Sequence, residues 1–219
     1  MLQDLNLSDA LRESLQHLGN EFKPDRLAYL SLTSKNEQPL CGALAYRLSK
    51  KFEGDSKVTI VREWACNRRR VDIAVLCNGK AIALIEVKAA MAFDPLVKGT
   101  RVYPSEDVAK DAEKLRNIKV ADRRFLLAFF TTYDGLPEEE DHRAIKYIYG
   151  IKRHVKRYED PKGSFQKDGL PIFRKKVCSR DHCIKHIGSG EIQAGEAFGV
   201  NVSVCWELME AEMNASDLK

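Results

Sequence analysis

The middle of the chain alternates between apolar and polar residues with the period of two that is typical of β-strands. Residues 58–64 alternate in this way, and two further runs over 70–76 and 80–89 are strongly apolar. The Asn78-Gly79 pair between these runs is a strong signal for a two-residue hairpin turn. Because the run over 80–89 is apolar on both of its faces, it predicts a strand at the centre of a sheet.

Apolar residues spaced three and four apart predict helices on either side of this strand region. The sequence indicates short helices before residue 31, longer ones over 37–51, 105–118 and 141–157, and apolar strands over 124–132 and 199–208. The strand, helix and strand over 80–132 predict a right-handed parallel crossover. The predicted fold class is therefore α/β, with a mixed β-sheet flanked by helices.

The length of 219 residues is that of a single domain. We expect its core to span about 37–132 and to be completed by the strand over 199–208. Residues 139–198 are expected to form a basic insertion. From residue 160 onwards we expect this insertion to be irregular, because glycine, lysine and polar residues replace the periodic pattern there.

The composition excludes the disordered and membrane-spanning classes of protein. Apolar residues make up 44% of the chain, which is enough to build a core. No apolar run approaches the ~20 residues that cross a bilayer. The N-terminal residues lack the profile of a signal peptide, so we expect a cytoplasmic protein whose six cysteines are reduced.

The net charge of +4 is small, but the basic residues are clustered at 68–70, 152–157 and 174–176. Clustered basic residues on a nearly neutral chain favour a polyanionic partner such as nucleic acid. Solvated surfaces are the alternative explanation for any one of these clusters.

Three charged residues interrupt the apolar hairpin. Asp72 begins its first strand, and Glu86-Val87-Lys88 ends its second. Side chains alternate along a strand, so Glu86 and Lys88 point to the same side. The two carboxylates, the Val87 carbonyl and water are ligands that Mg²⁺ accepts, and a neighbouring lysine can assist phosphodiester hydrolysis. The alternative is that Asp72 caps a turn while Glu86 pairs with Lys88 at an exposed strand end.

The pattern Asp72-x13-Glu86-Val87-Lys88 resembles the active-site motif of the PD-(D/E)XK nuclease superfamily, over about residues 37–132. Val71 stands where the superfamily's name has proline. The resemblance implies a restriction-endonuclease-like fold and a Mg²⁺-dependent endodeoxyribonuclease, with Mn²⁺ able to substitute and a homodimer as the expected assembly. The size of the chain suits a restriction or defence nuclease, and DNA is the expected substrate, with RNA left open.

In that resemblance Asp72, Glu86 and Lys88 are catalytic, and Asp72, Glu86 and the Val87 carbonyl hold the metal. Glu37 and Glu63 are possible additional acids, although a helix start and a strand end explain them equally well. The residues assigned to nucleic-acid binding are Arg68, Arg69, Arg70, Lys152 and Arg153.

Two further groups have simpler explanations. Asp107, Asp111 and Lys114 form one polar stripe of the helix over 105–118, which we expect to be solvated. The second group consists of Cys178, His182, Cys183 and His186. Because these residues lack the spacing of a zinc site, chance clustering is the favoured interpretation. A non-catalytic nucleic-acid-binding protein on the same fold, and a small interaction protein with structural charges, remain alternatives to the nuclease.

Overall fold

The computed structural model describes residues 6–66, 68–97, 103–181 and 183–213. Its helices are α1 (Leu7–Gln16), α2 (Arg26–Thr33), α3 (Glu37–Lys51), α4 (Ser105–Arg116), α5 (Ile148–Arg157), α6 (Pro161–Ser164) and α7 (Leu170–Arg180). Its strands are β1 (Val58–Cys66), β2 (Arg69–Cys77), β3 (Lys80–Met91), β4 (Arg123–Tyr133), β5 (Ile184–Ala197) and β6 (Val200–Ala211). Short 3₁₀ turns lie at Leu18–Glu21, Asp94–Leu96 and Glu139–Arg143, and a π-helical turn lies at Phe165–Gly169.

The six strands form one mixed sheet in the order β1-β2-β3-β4-β6-β5. Only β3 and β4 pair in parallel, and α4 connects them, as the sequence predicts for residues 80–132. The other neighbours are antiparallel. The protein is therefore a mixed α/β structure with helices against its sheet.

Both faces of the sheet are covered, because β3 and β4 are apolar on both sides. Ile85 and Val87 belong to a core with α1, α2 and α3, whereas Leu84 and Ala90 belong to a second core with α4 and α7. This three-layer arrangement buries the middle of β3, as its two-sided apolar pattern predicts.

The hairpin between β2 and β3 has the predicted tight turn. Asn78 and Gly79 have φ angles of 50° and 76°, the left-handed conformation that a two-residue turn of this class requires. The pairing runs from Cys77 opposite Lys80 to Ile73 opposite Ile85. The turn sets the pairing next to it, and an irregularity between Val75 and Leu76 then shifts the register by one residue. The turn and this shift together bring Asp72 next to Glu86 and Val87 of β3.

The expected irregular insertion over 160–198 is wrong, because this stretch contains α6, α7 and the edge strand β5. Gly190 of β5 lies so close to the ring of Trp206 on β6 that an added Cβ would approach it to 2.5 Å. At this position glycine is needed because the Trp206 ring of the neighbouring strand packs against it, and it does not mark a loop. The single helix expected over 141–157 is also wrong in its first half, where a 3₁₀ turn precedes α5.

None of the helices in the described part of the chain combines the length and the apolar character that crossing a bilayer requires.

Candidate active site

The candidate site lies where β2 and β3 separate. Their pairing does not continue past Ile73 and Ile85, so the next amides on that edge of β3 bind side chains instead. The Val87 amide donates to Asp72 Oδ2 at 2.7 Å, and the Ala89 amide donates to Glu37 Oε2 at 3.2 Å. The amide and carbonyl of one strand residue point the same way, so the Val87 carbonyl also faces this opening.

Glu86 is a buried carboxylate on β3, with only 3% of its surface exposed. Its Oε1 lies 2.5 Å from Lys114 Nζ on α4. Burial and the nearby Asp72 charge outweigh this ion pair and raise the pKa of Glu86 to about 7. Buried carboxylates with strongly shifted pKa values are common in functional sites.

Lys88 lies next to the second acid of α4. Its Nζ is 2.7 Å from Asp111 Oδ2 and 3.5 Å from the Val87 carbonyl oxygen. Burial by itself would lower the pKa of Lys88, but Asp111, Glu37 and Glu86 more than compensate and leave it above its ordinary value. Lys88 is therefore an ammonium group at neutral pH.

Asp72 carries the least compensated charge of the site. Burial raises the pKa of this carboxyl, and the repulsion from Glu37 acts in the same direction, against the Val87 amide and the Lys88 and Lys114 charges. Among the described residues, no ammonium or guanidinium nitrogen lies within 4.0 Å of Asp72.

These contacts contradict the interpretation in which Glu86 pairs with Lys88 at an exposed strand end. Glu86 is buried and pairs with Lys114, while Lys88 pairs with Asp111. The expectation of a solvated stripe on α4 is wrong for Asp111 and Lys114, because both face the site. Their i, i+3 spacing beside the predicted crossover was the available signal, and only the docking of α4 shows which face points inward.

The donor set fits a hard divalent ion. In the described residues, no group of three or more histidine, cysteine, aspartate and glutamate side chains is arranged to bind a metal. Mg²⁺ usually takes one or two carboxylates and keeps several waters, and Asp72, Glu86 and the Val87 carbonyl supply such a set. The raised pKa values of both carboxyls indicate negative charge that a cation would stabilise.

The two additional acids occupy different places. Glu37 is in the site, where its carboxylate accepts from Ala89 and lies 3.0 Å from Lys35 Nζ. Glu63 leaves 40% of its side chain exposed and lies 3.6 Å from Arg70. The structure thus brings Glu37, but not Glu63, to the amide edge of β3.

The expected nucleic-acid contacts are on the surface. Arg68, Arg69 and Arg70 are exposed, and Arg69 donates to the Lys114 carbonyl at 3.1 Å, beside the site. Lys152 and Arg153 are on the exposed face of α5.

The cysteine and histidine cluster does not converge in the part of the chain that can be described. His182 lies outside the described residues. Cys178 is an exposed helix residue, and His186 Nε2 lies 3.0 Å from Glu207 Oε2. His186 is thus engaged by a carboxylate.

A cleft of about 290 Å³ opens beside the candidate site. Ala89 and Met91 of β3, Lys35, Asp94 and Tyr103 contribute to its walls. The Tyr103 hydroxyl donates to the Ala89 carbonyl, so the cleft continues along the edge of β3 on which Val87 lies. A substrate bound at the carboxylates has room to extend in this direction.

Comparisons of the chain with protein-family models, with curated proteins and with solved structures found no match.

Proposed function

We propose that this protein is a metal-dependent endonuclease of the PD-(D/E)XK type with a restriction-endonuclease-like fold, hydrolysing DNA. The observation that carries the proposal is the convergence of Asp72, the buried Glu86 and Lys88 where β2 and β3 separate. The parallel β3-α4-β4 crossover beside this opening is consistent with that fold.

Asp72, Glu86 and the Val87 carbonyl would hold Mg²⁺ or Mn²⁺. When bound, such an ion would supply an activated water and would neutralise charge that develops on the phosphate. Lys114 partly neutralises Glu86, while Asp72 depends on a backbone amide. An incoming cation would therefore be stabilised most by Asp72.

Lys88 acts as a fixed positive charge in this proposal. Its raised pKa and its 2.7 Å contact with Asp111 keep it protonated and oriented. A protonated lysine cannot accept the proton of water, but it can orient the water and stabilise negative charge on the phosphate. Asp111 is then a positioning residue, because it acts through Lys88.

A non-catalytic nucleic-acid-binding protein is the second candidate. The observation in its favour is that Lys114 pairs with Glu86 and Lys88 pairs with Asp111. Such pairs could stabilise the fold alone. Metal-dependent cleavage distinguishes the two functions.

The test is to incubate the purified protein with supercoiled plasmid, and with single- and double-stranded DNA and RNA oligonucleotides, in Mg²⁺, Mn²⁺ or EDTA. We expect cleavage of DNA that requires the metal and falls by about 10²–10³ in Lys88→Ala, the usual cost of losing one group that stabilises transition-state charge. Lys80→Ala is the matched control, because Lys80 is an exposed lysine on the same strand.

Failure to cut any of these substrates with either metal would exclude the enzyme. Nucleic-acid binding without cleavage would favour the second candidate. Equal loss of activity in Lys80→Ala would mean that the effect of Lys88→Ala is not specific to the site. Sedimentation of the same sample tests the expected homodimer.

A further inference from the structure

A basic groove runs between α7 and the 3₁₀ turn Asp94–Leu96. It encloses about 850 Å³, and its lining includes four cationic side chains, those of Arg157, Lys167, Lys175 and Lys176. Two basic clusters that are separate in the sequence, 152–157 and 174–176, therefore meet in the fold. Because the two clusters line the same groove, they are better explained as one basic surface than as two unrelated solvated surfaces.

The basic groove continues into a second, smaller cleft. That cleft encloses about 210 Å³, shares Leu96, Val97, Arg157 and Tyr158 with the groove, and adds Arg153. The shared residues make one channel with cations along its length. A channel of this kind suits an extended ligand better than a small one.

The cations of this channel are not paired with carboxylates of the described chain. Among the described residues, none of the five has a carboxylate oxygen within 4.0 Å, a distance at which ion pairs form elsewhere in the protein, for example between Lys88 and Asp111. Asp168 is the acidic residue in the lining. The positive charge is therefore largely uncompensated, and a polyanion is the complementary partner.

The walls of the channel are apolar and aromatic, and they would favour a polyanion that also presents exposed aromatic bases. Leu96 and Ile172 contribute apolar surface, and the ring of Tyr158 lies beneath Arg157, whose guanidinium carbon is 5.3 Å from the ring centroid. Single strands expose bases that stack on aromatic and arginine surfaces while the phosphates contact cations. A duplex keeps its bases stacked internally, so it gains little from such walls.

We infer that this channel binds a single-stranded nucleic acid, with phosphates on its lysines and arginines and bases against the stacked Arg157 and Tyr158 side chains and their apolar neighbours. The proposal of binding is based on the channel alone. The further proposal that the bound strand is the substrate rests on the proposed nuclease function. The channel and the cleft beside the active site share the 3₁₀ turn, since Asp94 lines that cleft and Leu96 lines the channel. A strand leaving the channel would reach the site by passing over this turn.

The experiment measures fluorescence anisotropy of a labelled 20-nucleotide single strand, in DNA and RNA forms, with EDTA present so that cleavage plays no part. We expect Lys175→Gln with Lys176→Gln to weaken binding by about tenfold or more at low salt. The slope of log Kd against log salt should fall by about 1.4, since each phosphate contact on a single strand contributes about 0.7. Lys23→Gln with Lys185→Gln removes the same charge from exposed lysines outside the channel and should change neither quantity.

The role of the walls is tested with Tyr158→Leu, which keeps an apolar side chain but removes the ring. Single-strand affinity should fall by roughly tenfold, whereas affinity for heparin, a polyanion without bases, should stay the same. Circular dichroism confirms that each variant is folded.

Three results would overturn the inference. They are tighter binding of duplex than of single strand, equal losses for heparin in Tyr158→Leu, and equal losses in the control pair of lysine variants. Cleavage by the channel variants at the wild-type rate on short substrates would leave the nuclease proposal intact, while absence of cleavage in the wild type would not affect the binding result. The two proposals therefore fail separately.

Discussion

Protonation of one buried histidine, His154, which ties α5 to its neighbours, should contribute a loss of stability at acidic pH. His154 is 3% exposed. The Tyr133 hydroxyl is 2.8 Å from Nδ1, and Nε2 is 3.1 Å from the Ser164 hydroxyl, which itself donates to the Pro161 carbonyl. Since Ser164 uses its proton there, it accepts from Nε2–H, and Nδ1 then accepts from Tyr133. This arrangement requires a neutral imidazole.

Burial, with a smaller contribution from Arg157, lowers the pKa of His154 from 6.5 to about 4. At His154 the unfolded chain therefore binds a proton at a pH where the folded protein does not, so the contribution of this residue to stability falls as the pH decreases. The loss begins near pH 6.5 and is complete below pH 4. Linkage gives about 2 kcal/mol at pH 5 and about 3 kcal/mol at the lower limit.

The assay is urea unfolding at pH 7.5 and pH 5.0, followed by tryptophan fluorescence, for the wild type and for His154→Gln. The glutamine is uncharged at both pH values, so this variant should lose about 2 kcal/mol less than the wild type between them. His17→Gln changes an exposed histidine and is the control. Equal pH dependence in the wild type and His154→Gln would refute the buried neutral imidazole.

Two further predictions concern stability. Glu207→Gln should lower the free energy of unfolding by about 2 kcal/mol, because Glu207 is 1% exposed and accepts two hydrogen bonds from Arg174 at 2.7 and 2.8 Å. Urea unfolding measures this loss. The control is Glu196→Gln, which changes an exposed residue and should be nearly neutral. Gly79→Ala should cost about 1 kcal/mol from its positive φ alone, since the space around it is open. An equal cost for Gly54→Ala, which has similar open space but no positive φ, would contradict that explanation.

The sequence predicts those parts of the structure that local signals determine. Asn78 and Gly79 determine a turn by themselves, and that turn begins the pairing of β2 with β3. The register at Asp72 also depends on the irregularity between Val75 and Leu76, which shifts the pairing by one residue. Helix α3 begins and ends where its periodic leucines predict. The central position of β3 follows from its two apolar faces.

The missed features depend on residues far apart in the chain. The glycine of β5 that resembles a loop signal faces Trp206, on the next strand. Likewise, nothing in the sequence of α4 says whether Asp111 and Lys114 point to water or to β3, because a helix face acquires its surroundings only by docking. The basic channel was predictable only as two separate clusters of charge.

The charges around the candidate site support a divalent ion rather than a purely structural network. Among the described residues, the contacts of the site involve four carboxylates and three ammonium groups. The carboxylates are those of Glu37, Asp72, Glu86 and Asp111, and the ammonium groups are those of Lys35, Lys88 and Lys114. Each lysine pairs with a carboxylate other than Asp72. A network selected only for stability would gain by pairing or removing this last buried charge, whereas a metal site needs a carboxylate that no lysine occupies. Asp72, which no ammonium or guanidinium group of the described residues pairs with, is therefore the carboxylate on which the proposed cation site depends most.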